Sequence, residues 1–276
     1  MNDGALFGPK PVFDRWVAAQ LALLLVMTGA LLAGAGWHGG FRGAQALSGQ
    51  LPPLLWECLT TLGDERVLLA LMLPFTLRHP RVFWSVVLAA LLTALIARGF
   101  KWGLPMPRPA AVLPPDQITV IGWRLKGLSF PSGHTGSAFA YATVWFACLG
   151  WRRGWPLIAV AAIAGFSRIA VGAHWPIDVL GGAVFGTCGA WLGLRLAARW
   201  RWGLRPGPHW GLAVVAAIAV ATLPFDGQGY PGSLPWRIAV ALWGLGGFAA
   251  AYLVPLLRGG WKAAGAPLAG VADTKA

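Results

Sequence analysis

Long apolar segments constrain this chain more than any other feature of its sequence. They include Trp16 to Trp37, Val82 to Ala97, Ser132 to Gly150 and Trp236 to Pro255. Each is close to the length of about 20 residues that a helix needs to cross the apolar part of a bilayer. Apolar residues make up 57% of the chain and charged residues only 11%, a balance that excludes an ordinary soluble domain. The sequence therefore predicts an all-α, polytopic transmembrane helix bundle.

Eight helical crossings are predicted from the apolar segments and the polar residues between them. The second is interrupted by the charged residues Asp64 to Arg66, and Pro74 would kink it. The segment before it, Ala44 to Thr60, could lie along the outer interface as an amphipathic helix rather than in water. The predicted crossings cover residues 16–37, 61–78, 82–100, 132–150, 155–172, 177–198, 210–224 and 236–256.

The net charge of +13 could indicate nucleic-acid binding. The positions of the basic residues distinguish a nucleic-acid surface from the charge bias of a membrane protein. These residues form no continuous stripe and stand at the ends of the apolar segments. With the N-terminus inside, thirteen of the 22 Lys and Arg residues fall on the inner side, as the positive-inside rule expects. Many of the 17 tryptophans also lie at segment ends, as in an interfacial aromatic belt. The sequence therefore predicts membrane lipids as partners, no nucleic acid, and both termini in the cytoplasm.

Three polar clusters stand at the predicted outer ends of apolar segments. They are Lys101 to Pro109, Pro131 to His134 and Ser167 to Asp178. Burying charged groups at membrane depth without a purpose is costly. The topology that the charge bias predicts places all three clusters on the same face of the membrane. We therefore interpret them as parts of one site.

The cationic members of these clusters suit a phosphate group. Lys101 offers a mobile point charge, whereas Arg108 and Arg168 offer planar forks that can each hold two phosphate oxygens. Ser132 and Gly133 stand where the fourth crossing begins, and a helix start presents unpaired backbone N–H groups to an anion. These five residues are the candidate phosphate-binding residues.

Two histidines supply groups that could break a phosphate ester. Pro176 suits the first position of a helix, so Asp178 falls in its first turn. There its carboxylate would accept the ring N–H of His174 and leave the other ring nitrogen free to attack phosphorus. His134 would protonate the leaving alkoxide as a general acid. The sequence shows no metal-ligand cluster, so the candidate catalytic residues are His174, His134 and Asp178, with no metal and no cofactor.

Each of these residues also has a simpler explanation. Lys101 and Arg108 could be interfacial anchors, and Asp178 could do no more than offset a helix dipole. Ser132 could simply start a helix. Arg168 is harder to explain in this way, because it closely follows an apolar segment and must find a partner or a water-filled cavity.

The three clusters resemble the three-part signature of the type 2 phosphatidic acid phosphatase (PAP2) superfamily, in particular its membrane lipid phosphatases. That superfamily also includes vanadium haloperoxidases and glucose-6-phosphatase. The resemblance covers about Lys101 to Asp178 with the flanking helices, and every signature position is filled. It implies a helical core of six crossings, a metal-independent phosphohistidine intermediate on His174, and lipid phosphates or diphosphates as substrates. It also implies phosphate contacts from Lys101, Arg108, Ser132, Gly133 and Arg168.

The resemblance divides the chain into three predicted parts. Residues 1–200 form the PAP2-like membrane phosphatase core. Residues 201–262 form an additional C-terminal transmembrane helix pair, which departs from the six-helix pattern. Residues 263–276 form a flexible tail.

The lead hypothesis is metal-independent dephosphorylation of a membrane lipid phosphate or diphosphate at the periplasmic face of a bacterial inner membrane. A phosphohistidine could also pass phosphate from a polyprenyl diphosphate to a second lipid such as lipid A, and a non-catalytic lipid-phosphate transporter is a third alternative. Undecaprenyl diphosphate, phosphatidylglycerol phosphate, phosphatidic acid and the lipid A phosphates all remain candidate substrates. Arg124 and Lys126, in the loop 110–130, are candidates for contacting a second phosphate. The sequence leaves the oligomeric state open.

Overall fold

The structure is a computed structural model that describes residues 11–225 and 229–259. Within these ranges it contains helices, turns and loops and no β-strand, so the all-α prediction is confirmed. Eleven α-helices are described: α1 Pro11–Ala35, α2 Phe41–Ser48, α3 Pro53–Thr61, α4 Glu65–Met72, α5 Pro80–Gly103, α6 Pro109–Val112, α7 Gly133–Leu149, α8 Trp151–Ala170, α9 Pro176–Arg199, α10 Pro206–Ala221 and α11 Leu234–Phe248. A π-helical segment, Ala249–Leu253, continues α11.

Four helical segments are long and apolar enough to cross a membrane. They are Phe13–Ala35, Pro80–Gly103, Pro176–Arg199 and Pro231–Gly259, and each lies at a predicted crossing. Three other predicted crossings correspond to α7, α8 and α10, which are shorter or less apolar. The chain is therefore a polytopic helix bundle, as the apolar segments predict.

The predicted crossing at 61–78 does not form as one helix. The chain leaves α3 at Thr61 and starts again at α4, where Asp64 caps the new helix by accepting the backbone N–H of Arg66 at 2.9 Å. α4 then tightens into a 3-10 turn around Pro74, because proline lacks the N–H that an α-helix requires. The stretch before it likewise forms two short helices, α2 and α3, and its position along the outer interface stays a prediction.

Helices α5, α7 and α9 form the centre of the bundle. Glycines on α9 let the three backbones approach closely. A Cβ at Gly186 would stand 2.3 Å from the carbonyl oxygen of Gly136 in α7, and one at Gly193 would stand 2.7 Å from the backbone nitrogen of Ala89 in α5. Small residues at helix interfaces serve this purpose in membranes, where dispersion contacts replace the hydrophobic effect between helices.

Two contacts fix the relative direction of the central helices. Arg195, near the end of α9, donates to both carboxylate oxygens of Asp14 near the start of α1, each at 2.8 Å. Trp84, near the start of α5, donates from its indole to the carbonyl of Trp200 at 2.6 Å. Helix α9 therefore runs antiparallel to α1 and α5. Its first residues lie at the end of the bundle where α1 and α5 finish.

The C-terminal helices α10 and α11 pack against α4. A Cβ at Gly244 of α11 would lie 2.8 Å from the Cα of Ala70. Tyr252 joins the two parts more directly, because its hydroxyl bonds to Thr76 at 2.7 Å and lies 2.8 Å from Nε2 of His209. The division into a core and a C-terminal pair stays a prediction. The predicted tail 263–276 and both chain ends lie outside the described residues.

The close contact at Gly193 generates a stability prediction. Gly193→Ala should destabilise the protein by about 1–3 kcal/mol, because the added methyl group collides with the backbone of α5. Gly211→Ala is the matched control, since a Cβ there meets nothing within 4 Å and the helix propensity gained is the same. Thermal unfolding in detergent should place the midpoint of Gly193→Ala clearly below that of Gly211→Ala. Equal midpoints would show that α5 and α9 do not pack this closely.

Candidate active site

The three predicted polar clusters meet at one end of the bundle. The last turns of α5 and α8, the loop 104–132 and the first turns of α7 and α9 form this end. The guanidinium NH1 of Arg108 lies 3.2 Å from Nε2 of His174, although 66 residues separate them. The backbone N–H of Ser132 donates to the carbonyl of Asp178 at 2.9 Å. Residues from all three clusters are therefore neighbours.

Asp178 is at the centre of the hydrogen bonds at this end. Its buried Oδ2 atom accepts from Ser129 Oγ at 2.5 Å and from the backbone N–H of Trp175 at 2.8 Å. The same oxygen lies 3.3 Å from Nδ1 of His174. Because Pro176 begins α9, Asp178 is the third helical residue, and an acidic side chain at that position reaches back to the helix start. The carboxylate thus caps its own helix and orients the His174 ring.

The His174 imidazole is buried between Asp178 and Arg108, with 2% of the residue exposed. Arg108 can only donate, so the hydrogen-bond pattern assigns a lone pair to Nε2 and the ring proton to Nδ1. Burial, followed by the positive charges of Arg108 and Arg168, lowers the pKa of His174 well below its usual value. The ring is therefore neutral at physiological pH, with Nε2 available as a nucleophile.

Backbone carbonyls hold two of the predicted cationic side chains in place. Arg108 donates from Nε to Gly127 at 2.8 Å and from NH1 to Ala173 at 3.0 Å. Burial, and then the charge of Arg168, lowers the pKa of Arg108 to about 10, so the guanidinium stays charged at neutral pH. The ammonium of Lys101 donates to the carbonyl of Leu128 at 2.6 Å. The loop 104–132 therefore fixes the positions of both cations.

Arg168 is the most deeply buried of the predicted cations, with 1% of the residue exposed. Its NH1 group donates to the hydroxyl of Thr60 and, at 3.2 Å, to the hydroxyl of Tyr230. Its Nε atom is buried and has no hydrogen-bond partner among the described residues. A buried N–H without a partner is costly, so this atom is suited to an incoming acceptor.

The start of α7 carries the second cluster. Ser132 is the N-cap, and its hydroxyl oxygen accepts from the backbone N–H of Thr135 at 3.4 Å. Gly133 has open space where a Cβ would be, so a ligand can approach its backbone. His134 is partly buried and lines a cavity of about 470 Å³ together with Glu65 and other residues of the α3–α4 turn.

The family model of the PAP2 superfamily matches residues 82–202, which hold all eight candidate residues. This segment makes up a little under half of the chain, and it is similar to the PAP2 superfamily. The resemblance seen in the sequence motifs is therefore confirmed. The crystal structure of Aquifex aeolicus LpxE has the same helical fold, with a TM-score of 0.52 and 27% sequence identity. The match covers 56% of this chain and 92% of the LpxE chain.

Two curated relatives match over shorter stretches. Lipid A 1-phosphatase of Porphyromonas gingivalis is 48% identical over 61 residues, which is 21% of this chain and 14% of that protein. Undecaprenyl-diphosphatase BcrC of Bacillus subtilis is 50% identical over 58 residues, which is 20% of this chain and 28% of that protein. The matched segments thus span less than a third of the length of either relative.

Several residues at the site were not predicted from the sequence. Ser129 lies just before the second PAP2 motif, yet it donates to the motif residue Asp178. Thr60 and Tyr230 lie outside the PAP2 segment, at positions 108 and 62 residues from Arg168. None of these residues belongs to a local pattern that would indicate a site. Arg124 and Lys126, predicted to meet a second phosphate, are exposed in the loop.

The short contact between Ser129 and Asp178 generates a second stability prediction. Ser129→Ala should cost about 1–3 kcal/mol, because a buried carboxylate oxygen loses a donor. Ser85→Ala is the control, since Ser85 is also fully buried but donates only to the carbonyl of Arg81 at the other end of α5. The thermal unfolding midpoints of Ser129→Ala and Ser85→Ala are compared at neutral pH, and that of Ser129→Ala should be lower. If both variants unfold at the same temperature, Ser129 does not hold the carboxylate.

Proposed function

We propose that this protein is an integral membrane phosphatase that removes phosphate from a lipid phosphate or diphosphate without a metal, through a phosphohistidine intermediate. The observation that carries the proposal is the buried, neutral His174 ring held between Asp178 and Arg108. The names of the relatives, a lipid A 1-phosphatase and an undecaprenyl-diphosphatase, support a lipid substrate.

In the first step, Nε2 of His174 attacks phosphorus. A P–N bond forms while the bond between phosphorus and the leaving oxygen breaks. His134, which the negative charge of the bound phosphate keeps protonated, donates its proton to that oxygen. The Asp178 carboxylate stabilises the positive charge that develops on the ring. In the second step, His134 takes a proton from water, the water oxygen attacks phosphorus, and inorganic phosphate leaves His174.

The charge of the transferring phosphoryl group requires fixed donors on its other oxygens. Lys101, Arg108 and Arg168 supply three positive charges at the same end of the bundle. Ser132 and Gly133 add the N-terminus of α7, where backbone N–H groups point out of the helix. Preorganised donors of this kind stabilise a transition state without reorganising during the reaction.

The cavity beside His134 accommodates the leaving group. The α3–α4 turn closes one side of it, because a Cβ at Gly63 would stand only 2.7 Å from the Cβ of His134. Trp102, next to Lys101, is 78% exposed, and such an aromatic side chain suits the membrane interface. A lipid could therefore keep its chains in the bilayer while its phosphate enters the site.

We further propose a bacterial inner membrane, with the site facing the periplasm and both termini in the cytoplasm. The bundle end opposite the site is rich in cations, which the positive-inside rule assigns to the cytoplasm. These cations are Arg78, Arg81, Arg152, Arg153, Arg195, Arg199, Arg201 and Arg205. Residues 1–200 would form the catalytic core, and 201–262 the additional helix pair.

The first functional prediction concerns the nucleophile and the absence of a metal requirement. Purified protein should release phosphate from at least one of lipid A, undecaprenyl diphosphate, phosphatidic acid and phosphatidylglycerol phosphate, at the same rate with excess EDTA. His174→Ala should lower kcat by about 1000-fold or more, because the variant lacks the ring nitrogen on which the proposed intermediate forms. His79→Ala, at the opposite end of the bundle, should keep wild-type activity.

Three outcomes would contradict this scheme in different ways. Activity retained by His174→Ala would refute the phosphohistidine mechanism. Transfer of labelled phosphate to an added acceptor lipid, in place of release, would make the protein the phosphotransferase considered above. Binding of lipid phosphates without any turnover would indicate a transporter or binding protein.

The proton donated by His134 generates the second functional prediction. His134→Gln should lower kcat by about 100- to 10,000-fold for an alkyl phosphate, whose leaving alkoxide needs a proton. The loss should be much smaller for p-nitrophenyl phosphate, whose leaving group is stable as an anion. The ratio of the two losses measures the general-acid role. An equal loss with both substrates would assign His134 to phosphate binding instead.

A further inference from the structure

One residue of the C-terminal region reaches the candidate site. Tyr230 lies in the connector between α10 and α11, outside the PAP2 segment 82–202, and only 5% of it is exposed. Its hydroxyl accepts a hydrogen bond from NH1 of Arg168 at 3.2 Å. Its ring packs in an apolar cluster with Trp56 and with Val171 and Ala173 of the α8–α9 loop. The connector therefore contacts the site directly.

The described residues around Tyr230 pack closely against other parts of the chain. A Cβ at Gly229, which has a φ of +80°, would stand 2.6 Å from the ring of Trp123. The indole of Trp236 donates to Thr61 at 3.0 Å, and buried Arg237 donates to the carbonyl of Leu223 at 2.5 Å. Gly229 therefore lies against the loop 104–132, and the two hydrogen bonds join the start of α11 to α3 and to the end of α10. Tyr230 lies between these contacts and is buried.

The hydrogen bonds of Arg168 to Thr60 and Tyr230 both come from NH1, on one side of its guanidinium. The buried Nε, on the other side, has no hydrogen-bond partner within residues 11–225 and 229–259. An arginine side chain has several rotatable bonds, so fixing one edge in advance lets the other edge bind an oxyanion with a smaller loss of side-chain entropy.

We propose that Tyr230 is a positioning residue that, together with Thr60, fixes Arg168 so that its Nε edge can hold a phosphate oxygen. The connector of the C-terminal helix pair then supports the active site, although it lies outside the PAP2 segment. This inference rests on the proposed function, because Arg168 is one of the phosphate ligands proposed there.

The test compares Tyr230→Phe with Tyr252→Phe. Both variants remove one buried tyrosine hydroxyl from the C-terminal region, but Tyr252 bonds to Thr76 and not to a site residue. Binding of orthovanadate, a mimic of the phosphoryl transition state, is measured by calorimetry, together with KM, kcat and the thermal midpoint. Tyr230→Phe should weaken orthovanadate binding about fivefold, and Tyr252→Phe should leave it unchanged. Thr60→Val should weaken it in the same direction.

A double-mutant cycle identifies the residue through which Tyr230 acts. In an Arg168→Ala background, Tyr230→Phe should change kcat/KM no further, because the side chain it positions is gone. Wild-type orthovanadate affinity in Tyr230→Phe, an equal loss in Tyr252→Phe, or an undiminished effect in the Arg168→Ala background would each overturn the inference.

The two proposals fail in distinguishable ways. If the wild-type protein binds orthovanadate but hydrolyses no lipid phosphate, the proposed function is wrong. The ratio of the orthovanadate affinities of wild type and Tyr230→Phe still tests the role of Tyr230. If it hydrolyses a lipid phosphate while Tyr230→Phe behaves as wild type, only the inference on Tyr230 is wrong. If it neither binds orthovanadate nor releases phosphate, both are wrong.

Discussion

The rest of the site depends on the hydrogen bonds that the buried Asp178 carboxylate accepts. One oxygen has three donors from two parts of the chain: Ser129 in the long loop, and the His174 ring and Trp175 backbone just before α9. A buried carboxylate without such donors would cost several kcal/mol. Folding therefore brings the loop and the His174 ring into register with the helix start, because each bond satisfies the same buried carboxylate.

Close packing of the central helices makes that register possible. Gly186 and Gly193 bring the backbone of α9 against α7 and α5 at distances that no side chain would permit. Helices packed this closely cannot slide without collisions, so their ends stay at fixed heights. The result is that the end of α5 and the starts of α7 and α9 deliver Lys101, Ser132 and His174 to one small volume.

The C-terminal region changes how the PAP2 segment should be understood in this chain. α10 and α11 pack on α4, and the connector between them supports Arg168 through Tyr230. Helix α3 contributes Thr60 to the same guanidinium. A charged group buried among apolar helices needs such partners, and here they come from both sides of the PAP2 segment. The additional helices are thus linked to the site by hydrogen bonds as well as by packing.

The sequence by itself determined the helical class, most of the helix positions and the eight candidate residues, because hydropathy and helix-start residues act over short stretches of chain. It did not determine the break between α3 and α4, where Asp64 caps a new helix. Only the tertiary structure decided that Ser129 holds Asp178, 49 residues away, and that Tyr230 holds Arg168. The reason is physical, because such contacts depend on which helix faces pack together, and local patterns of residues do not predict that packing.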